Sequence, residues 1–518
     1  MRLEHLAEQV GRVRGHRGRL NKIELLRKVL LECDEPARPA TLCFLCGELP
    51  MGKVGVGPKM IHRLRRRLES AAEGGVGPTV REVCRVLEEV KDDSGGGSLS
   101  RREDRLHELL EGCSRVGRRF LLRLLAGELR QGALAGTVEA AVVAACGCSE
   151  KLLRRAVTLT GSVPAAAELA FAGGDSALSL VRMEVFRSLS PMLADSVATV
   201  EEALQMKGRS FWELKLDGAR IQTHREGGRV RVFSRSHRDV TSSVPEVVEH
   251  ALSLSSQRFI LDGEVLSFGP HGRPYPFQLI MKRFGRRKVD HKLEEQIPLT
   301  PNYFDILLLD EQEFLEEPFL ARREVLEETV GGHVVKGALI GEPEQASDFL
   351  EQALRAGHEG VMVKGPEGRY EAGKRGAEWL KLKPFHTLDL VVLAAEWGSG
   401  RRSGFLSNLH LGARDNQGRF VMLGKTFKGL TDELLEWQTG RLLELESGRT
   451  EQVVQVVPAL VVEVAFNELQ ESPHYPAGLA LRFARVRRYR PDKVPEQADT
   501  LDAVRKIFRE SRSRQATL

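Results

Sequence analysis

The hydrophobic residues in the first part of the chain recur every three or four positions. Leu, Val and Phe follow this spacing in the segments 23–33, 101–113 and 120–130, with Arg and Glu between them. This is the spacing of amphipathic helices. The segment 92–100, DDSGGGSLS, breaks the pattern with glycine and serine and predicts a surface loop. We therefore predict that residues 1–190 form an all-α domain.

From residue 209 onward the hydrophobic period shortens to two, which is typical of strands. The segments 210–216 and 229–234 alternate in this way, and Glu226-Gly227-Gly228 between them predicts a hairpin turn. Residues 191–384 are thus predicted to form an α+β domain with an antiparallel sheet. Its further strands are predicted at 259–266 and 302–309, and its helices at 322–329 and 346–356.

The last part of the chain contains short β-rich runs separated by glycine turns, and one helical segment at 432–447. Short strands with a single helix are typical of a small barrel, so we predict a β-barrel of the OB-fold class at 385–518, with a short, basic, frayed tail after Lys506. The predicted strands lie at 388–394, 409–413, 420–423 and 460–466.

Composition narrows the class of protein. With 518 residues, 42% hydrophobic and 29% charged, the chain is typical of a soluble protein of several domains. No apolar run approaches the roughly 20 residues that cross a bilayer, and the N-terminus shows no secretory signal. We expect a monomer that works in the cytoplasm, associated with the nucleoid.

All seven cysteines precede residue 150, and their odd, scattered arrangement argues against a disulfide framework. Cys43 and Cys46 have the spacing of half a zinc knuckle, but Cys146 and Cys148 are a poor second half. We predict ordinary buried thiols.

Basic clusters recur along the whole chain. The net charge of +5 says little alone, but the recurrence favours a protein that contacts a phosphate backbone from several sides. The clusters lie at 65–67, 118–119, 286–288, 401–402 and 487–488.

The second domain carries an ordered set of polar motifs that begins with Lys215-Leu216-Asp217-Gly218. A lysine at the end of a strand, flanked by leucines, can be partly desolvated, which lowers its pKa and favours a nucleophilic amine. The motifs that follow are Ser234-Arg235-Ser236, Leu261-Asp262-Gly263-Glu264, Tyr303-Phe304-Asp305, EGVMVK at 359–364 and WLKLKP at 379–384.

These residue types suit attack of Lys215 on the α-phosphate of ATP, which gives lysyl-AMP and pyrophosphate. Charge builds up on the phosphoryl oxygens, so the reaction calls for nearby cations and a divalent metal. Glu264 and Glu359 are hard oxygen ligands for Mg²⁺ or Mn²⁺. The candidate cations are Arg220, Arg235, Lys381 and Lys383.

The ordered set resembles the nucleotidyltransferase motifs of the covalent ligase and mRNA-capping superfamily, and within it the ATP-dependent DNA ligases of archaeal type. The resemblance implies that Glu213 reads the adenine amino group, that Phe304 stacks on the adenine and that Arg375 belongs to the ATP site. It implies an enzyme that seals nicks in duplex DNA, in replication, repair or recombination, through lysyl-AMP, AMP transfer to the 5′-phosphate and attack by the 3′-hydroxyl.

The flanking regions extend this resemblance. Arg482, Arg485 and Lys493 match a segment that closes over the ATP site and orients pyrophosphate, although Ala484 stands where the family usually has proline. Residues 120–132 resemble the DNA-binding domain of these ligases, which implies contact with the minor groove of a duplex. Residues 187–194 resemble the linker before the catalytic domain.

Other interpretations stay open at this point. An NAD-dependent ligase has the same lysine, but also a nicotinamide-binding domain and a four-cysteine zinc module. An mRNA-capping enzyme or RNA ligase has the same core without the large helical region, and a non-catalytic DNA-binding scaffold would have lost its catalytic residues. Individually, each charged residue could be half of an ion pair, and Phe304 could be a core phenylalanine.

Overall fold

The computed structural model describes residues 1–16, 18–69, 77–129, 134–269, 272–284, 286, 291–383 and 385–516. The first region is helical, as predicted. One buried core runs through it, from Leu3 to Leu178. Its helices are α1 (Leu3–Gly15), α2 (Arg19–Glu32), α3 (Arg38–Leu45), α4 (Pro58–Leu68), α5 (Val80–Asp92), α6 (Ser98–Glu111), α7 (Arg115–Leu125), α8 (Leu134–Cys146), α9 (Glu150–Thr160) and α10 (Val163–Ser179).

The helix ends follow local chemistry. A capping box starts α5: Thr79 Oγ1 accepts from the Glu82 amide at 3.2 Å, and Glu82 accepts from the Thr79 amide at 2.7 Å. The helix predicted at 120–130 was too long, because α7 ends at Leu125 and Gly127 adopts φ +65°. Residues 130–132 of the predicted DNA-binding stretch lie outside the described residues, as do Arg287, Lys288 and Pro384.

The middle region contains two five-stranded sheets, with strand orders β1-β10-β9-β2-β8 and β4-β3-β5-β6-β7. The strands are β1 (Leu193–Val197), β2 (Ser210–Lys215), β3 (Ala219–Glu226), β4 (Arg229–Ser234), β5 (Arg258–Leu266), β6 (Thr300–Leu309), β7 (Gln312–Glu313), β8 (Gly337–Ile340), β9 (Gly360–Lys364) and β10 (Arg375–Leu382). The helices are α11 (Val200–Lys207), α12 (Pro245–Ser253), α13 (Phe277–Phe284), α14 (His291–Gln296), α15 (Phe319–Val330) and α16 (Pro343–Arg355).

The predicted hairpin joins β3 to β4, with Gly227 at φ +59°. The sheet was predicted to be antiparallel, but β1 pairs with β10 in parallel. This strand was missed because residues 187–194 read as a linker, whereas Ala194 already belongs to β1.

The C-terminal region is built on a seven-stranded sheet and a two-stranded sheet, β17-β18. Its strands are β11 (His386–Trp397), β12 (Leu406–Arg414), β13 (Phe420–Thr426), β14 (Glu446–Arg449), β15 (Val453–Val456), β16 (Val461–Phe466), β17 (Glu468–Glu471), β18 (Leu479–Arg482) and β19 (Arg485–Tyr489), and its helices are α17 (Asp432–Glu444) and α18 (Leu501–Ala516). The described strand pairings run from β13 through β12, β11 and β15 to β14. Strand β16 also pairs with β11 and β19 pairs with β16, and these pairings do not form the closed barrel that was predicted.

Two predictions for this region were wrong in detail. The helix predicted at 432–447 ends at Glu444, because Glu446–Arg449 pair with the next strand instead. The tail after Lys506 was expected to be frayed, but it continues helix α18 as far as Ala516, and Leu501 and Val504 anchor the start of this helix in the core of the C-terminal sheet.

Within the described residues, no helix combines the length and apolar character needed to span a bilayer. The seven cysteines are free thiols. Burial raises the pKa of Cys43 to about 11 and that of Cys46 to about 12.

Candidate active site

The two central sheets enclose a cavity of about 400 Å³ that brings most of the predicted site residues together. Strands of both sheets contribute to its wall, together with the segment Met192–Ala194 and one residue of the C-terminal region, Phe483. The predicted site residues in the wall are Glu213, Lys215, Arg220, Arg235, Glu264, Phe304, Arg375, Lys381 and Lys383.

Lys215 is the last residue of β2 and pairs with Gly360 on β9. The Glu359 amide donates to the Lys215 carbonyl at 3.1 Å, which fixes the adjoining chain ends. Gly360 has φ +148°, and a Cβ there would lie 2.3 Å from the Leu382 carbonyl oxygen, so the close approach of the strands requires glycine. This backbone geometry places the Glu359 side chain beside the lysine.

Glu359 lies between two ammonium groups. Lys215 Nζ donates to Glu359 Oε2, and Lys383 Nζ donates to Glu359 Oε1 at 2.6 Å. Burial disfavours ionisation of this carboxyl, but the two lysines outweigh that effect and lower the pKa of Glu359. Glu359 is therefore ionised at neutral pH and tethers both lysines at one end of the cavity.

Positive charge is concentrated on β10 and around it. Lys381 Nζ and Arg375 Nη1 both donate to the Ala194 carbonyl, at 3.4 and 2.8 Å. Burial lowers the pKa of Lys381, and the neighbouring cations Arg375, Lys215 and Lys383 lower it further. Like charges held so close together favour an anionic ligand such as a polyphosphate.

Carboxylates lie at the same end of the cavity as Lys215. Burial raises the pKa of Glu264 to about 8, with Asp217 and Glu359 adding to the rise and Lys215 and Arg220 opposing it. The described residues contain no preformed group of three or more His, Cys, Asp or Glu metal ligands. Glu264 and Glu359 nevertheless fit Mg²⁺, which proteins commonly hold through one or two carboxylates, with water and substrate phosphates completing its shell.

The other end of the cavity is aromatic and contains a buried ion pair. Glu213 Oε1 lies 2.6 Å from Lys364 Nζ, and Glu213 Oε2 lies 3.6 Å from Arg323 Nη1. Burial raises the pKa of Glu213 and lowers that of Lys364. Among the described residues, Glu213 Oε2 has no hydrogen-bond partner although it is buried. This atom is thus available to a ligand's hydrogen-bond donor.

Phe304 forms part of this end, with its ring 5.9 Å from that of Trp379 in an edge-to-face arrangement. Lys364 Nζ lies 5.1 Å from the Phe304 ring centre and donates to the Phe304 carbonyl at 3.0 Å. Met362, Lys364 and Trp379 lie within the sequence motifs at 359–364 and 379–384, but the sequence predicts no function for them. Strand alternation could have identified them, because Met362 and Lys364 share one face of β9.

Arg220 lines the cavity but is engaged by protein groups. It makes a bidentate contact with Asp262, at 3.0 and 2.6 Å, and donates to the Met192 carbonyl at 2.7 Å. Tyr370 also donates to Asp262, at 2.5 Å. Arg220 therefore ties the linker segment to the cavity wall, whereas Arg235 is exposed at the wall and better placed to meet a ligand.

The three C-terminal residues predicted to contact the leaving group do not line the cavity. Arg482 lies beside Phe483, Arg485 is exposed on β19, and Lys493 donates to Asp389 at 2.5 Å. The residue of this segment that lines the cavity is Phe483. It lies between Arg482 and Arg485, so the predicted motif could have identified it.

A second candidate surface lies on the N-terminal helices, and we call it the arginine surface. It is formed by Arg14 of α1, Arg65 of α4, and Arg115, Arg119 and Arg123, which follow each other at four-residue spacing on α7. The floor between the arginines is apolar and is formed by Ala7, Val10, Gly11, Val116, Phe120 and Leu129. Burial lowers the pKa of Arg123, and Arg14 and Arg119 lower it further. The arrangement suits a row of phosphates with sugars against the floor.

Three family models match successive parts of the chain. The DNA ligase N terminus matches residues 62–143, the ATP dependent DNA ligase domain matches residues 191–383, and the ATP dependent DNA ligase C terminal region matches residues 402–493.

Named relatives match almost the whole chain. A probable DNA ligase of Anaeromyxobacter dehalogenans is 48% identical, over 98% of this chain and 100% of its own length. One from Saccharopolyspora erythraea is 46% identical over 95% of each chain. Among solved structures, Pmar-Lig_PreS3 covers 94% of this chain and 99% of its own with a TM-score of 0.61 at 18% identity, which is a likeness of fold.

Proposed function

The chain belongs to the ATP-dependent DNA ligases and is a DNA ligase, and from this premise we propose that Lys215 carries AMP from ATP to DNA. The observation that carries the proposal is the position of Lys215 in the wall of a cavity with six further cationic side chains and a buried aromatic end. The cations of such a cavity suit the phosphates of a nucleotide, and its aromatic end suits the base.

The reaction then has three steps. Lys215 Nζ attacks the α-phosphorus of ATP, an N–P bond forms, and the bond to pyrophosphate breaks. An oxygen of the DNA 5′-phosphate next attacks the AMP phosphorus and releases the lysine. The 3′-hydroxyl finally attacks the 5′-phosphorus, seals the strand and releases AMP. Lys381, Lys383, Arg375 and Arg235 would stabilise the phosphoryl oxygens on which charge develops.

The aromatic end suits the base. The free Glu213 Oε2 can accept from the adenine amino group, and the exposed part of the Phe304 ring can stack on the adenine. GTP offers a carbonyl oxygen at the corresponding position, which the carboxylate would repel. This chemistry supports ATP as the donor.

A divalent cation, Mg²⁺ or Mn²⁺, is proposed at Glu264 and Glu359, where it would neutralise phosphate charge as ATP reacts. Glu359 is already ionised, and the raised pKa of Glu264, about 8, reflects burial among other carboxylates that a cation would counter. Metal binding would also draw Glu359 away from Lys215 and leave Lys215 Nζ free to approach the α-phosphate.

Nicked duplex DNA is the proposed substrate, and the arginine surface is the proposed contact of the N-terminal helices with it. Arg115, Arg119 and Arg123 are about one helical turn apart, roughly 6 Å, which is close to the spacing of phosphates along one DNA strand. The apolar floor between the arginines offers a surface for the sugars of the backbone.

Finer features of the molecule remain our proposals. Separate buried cores at Leu3–Leu178 and Leu388–Val504 support domains at 1–190, 191–384 and 385–518. The short strands of the last domain support an OB-fold. We propose that this domain closes over the cavity and that Arg482, Arg485 and Lys493 then contact the leaving pyrophosphate. We further propose a monomer of archaeal-type architecture, although the relatives named above are bacterial, and a cytoplasmic, nucleoid-associated location.

One labelling experiment tests the donor. The protein is incubated with Mg²⁺ and ATP, GTP or NAD, each labelled at the phosphate that would stay on the protein. We expect covalent label from ATP alone, stable to alkali and released by hot acid, as an N–P bond to lysine requires. Label from NAD would overturn the choice of donor, and absence of label from any nucleotide would overturn Lys215 as an AMP carrier.

A further inference from the structure

Phe483 is an unusual residue for its surroundings. It lies between β18 and β19, lines the cavity, and is 57% exposed, although phenylalanine is normally buried. Its φ is +56°, in the left-handed region that a bulky residue rarely adopts. Exposure and backbone strain both cost stability, so the fold itself does not account for this conformation.

The neighbouring backbone enforces the strain. On one side, the Asn467 amide donates to the Arg482 carbonyl at 3.1 Å. On the other, Thr426 Oγ1 donates to the Ala484 carbonyl at 2.6 Å, and the Val486 amide donates to the Lys428 carbonyl at 3.0 Å. A strained residue persists where such contacts determine its conformation, and such residues cluster at functional sites.

The ring is directed at the reactive end of the cavity. Its centre lies 5.8 Å from Lys383 Nζ, and Lys383 shares Glu359 with Lys215. Lys428 Nζ and the Arg482 guanidinium lie 5.6 and 5.0 Å from the ring centre. Three cations within reach of the ring face hold it by cation–π attraction.

We propose that Phe483 shields the N–P bond of lysyl-AMP from water. The inference rests on the proposed function, because it requires the AMP adduct at Lys215. The competing reaction is attack by water on the AMP phosphorus: a P–O bond forms, the N–P bond breaks, the lysine takes up a proton and free AMP leaves. An apolar ring beside Lys383 removes space for the attacking water and lengthens the life of the adduct until DNA arrives.

The distinguishing variant is Phe483→Gly. Glycine adopts φ +56° without strain, so this change removes the ring while leaving the fold as stable as before or more so. Phe483→Leu keeps an apolar side chain at the same position. Phe427→Gly is the control, since Phe427 is similarly exposed, at 55%, in the same region and lines a different cavity.

Each protein is labelled with α-³²P-ATP, separated from nucleotide, and followed for loss of label as AMP without DNA or pyrophosphate. We expect loss from Phe483→Gly to be about tenfold faster than from wild type, with Phe483→Leu and Phe427→Gly close to wild type and the melting temperature of Phe483→Gly not lowered. Equal loss from wild type and Phe483→Gly overturns the inference. If wild type takes no label, the proposed function itself fails, which is a different result.

Discussion

At the scale of single residues, Lys215 is controlled by its partner Glu359. The carboxylate holds Lys215 and Lys383 together, so the cations are fixed before a nucleotide arrives. Charged groups that are already oriented stabilise a transition state without the cost of reorganisation. The same ion pair engages Lys215 Nζ, so a ligand that competes for Glu359 frees this nitrogen.

Replacing Lys215 by alanine should abolish lysyl-AMP formation, because Lys215 is the lysine at the end of β2 that we propose as the nucleophile, whereas Lys381 lies at the end of β10 and Lys383 directly after it. The variant should still bind nicked DNA and seal nicks that already carry AMP. Labelling with α-³²P-ATP, gel shift and a pre-adenylated nick assay measure these three properties. Lys207→Ala, at a lysine paired with Glu378 outside the cavity, is the control. ATP-dependent sealing by Lys215→Ala at the wild-type rate would refute the assignment.

Glu213→Gln separates stability from recognition of the base. It leaves Lys364 buried without its anion, which costs about 3–5 kcal/mol of folding stability. Adding Lys364→Met removes the unpaired charge and should restore most of that stability. The double variant should nonetheless require about tenfold more ATP, because the charged acceptor for the adenine amino group is gone. Unfolding curves and the KM for ATP in adenylation test this; an unchanged KM would remove Glu213 from the base site.

At the scale of elements, strand alternation explains how much of the site the sequence predicts. Trp379 and Lys381 on β10 and Lys383 directly after it are spaced two residues apart, so a period of two assigns them to one face, and all three line the cavity. The partner of Arg220 is not predictable in this way. Asp262 lies on the neighbouring strand β5, and its reach to Arg220 depends on the register between β3 and β5.

Elements that depend on distant support were also missed. Helix α18 reads as a basic tail because only a few apolar residues interrupt its charges, and Leu501 and Val504 become buried only when the C-terminal sheet exists. The strain at Phe483 likewise arises from contacts with Thr426 and Lys428, far away in sequence. The local spacing of hydrophobic residues predicts which helix or strand forms. It does not predict the contacts between distant residues that complete the site.

A pH effect follows from how the segment before β1 is attached to β3. The Phe186 amide donates to His224 Nδ1 at 3.0 Å, and burial lowers the pKa of His224 to about 3. In the unfolded chain the pKa is about 6.5, so the unfolded state binds the proton first. This contribution to stability is complete above pH 6.5 and is lost as the pH falls towards 3, by up to about 1.4 kcal/mol per pH unit.

His224→Asn keeps an acceptor near the Phe186 amide but does not titrate. Its urea unfolding midpoint, followed by tryptophan fluorescence, should therefore fall less between pH 6.5 and 4 than that of the wild type. The protection factor of the Phe186 amide, which is its exchange rate corrected for the intrinsic effect of pH, should fall between pH 6.5 and 4 in the wild type and stay nearly constant in the variant. Parallel pH profiles for the two proteins would exclude His224 as the titrating group.

At the scale of the whole molecule, the chain combines a nucleotide cavity in its middle region with the arginine surface on its N-terminal helices. The nucleotide cavity requires charged groups held within hydrogen-bond distance of each other, as Glu359 is with Lys215 and Lys383. On the arginine surface, burial lowers the pKa of Arg123, and repulsion from the neighbouring Arg14 and Arg119 lowers it further. Repulsion of this kind is relieved by a polyanion, so DNA binding should be driven largely by release of counterions.

The last prediction separates these two sites by salt. The affinity of the wild type for nicked duplex DNA should fall steeply with ionic strength, and each lost phosphate contact should reduce the log–log slope by about 0.9. Replacing Arg115, Arg119 and Arg123 together by glutamine should therefore reduce the slope by up to about 3 and weaken binding of all sequences alike. Lysyl-AMP formation, which needs no DNA, should remain at the wild-type rate.

Arg85→Gln, at an exposed arginine on α5 paired with Glu89, is the matched control and should leave the slope unchanged. Fluorescence anisotropy from 50 to 300 mM salt measures these slopes. A wild-type affinity that barely responds to salt, or a triple variant with the wild-type slope, would show that the arginine surface does not contact the DNA backbone.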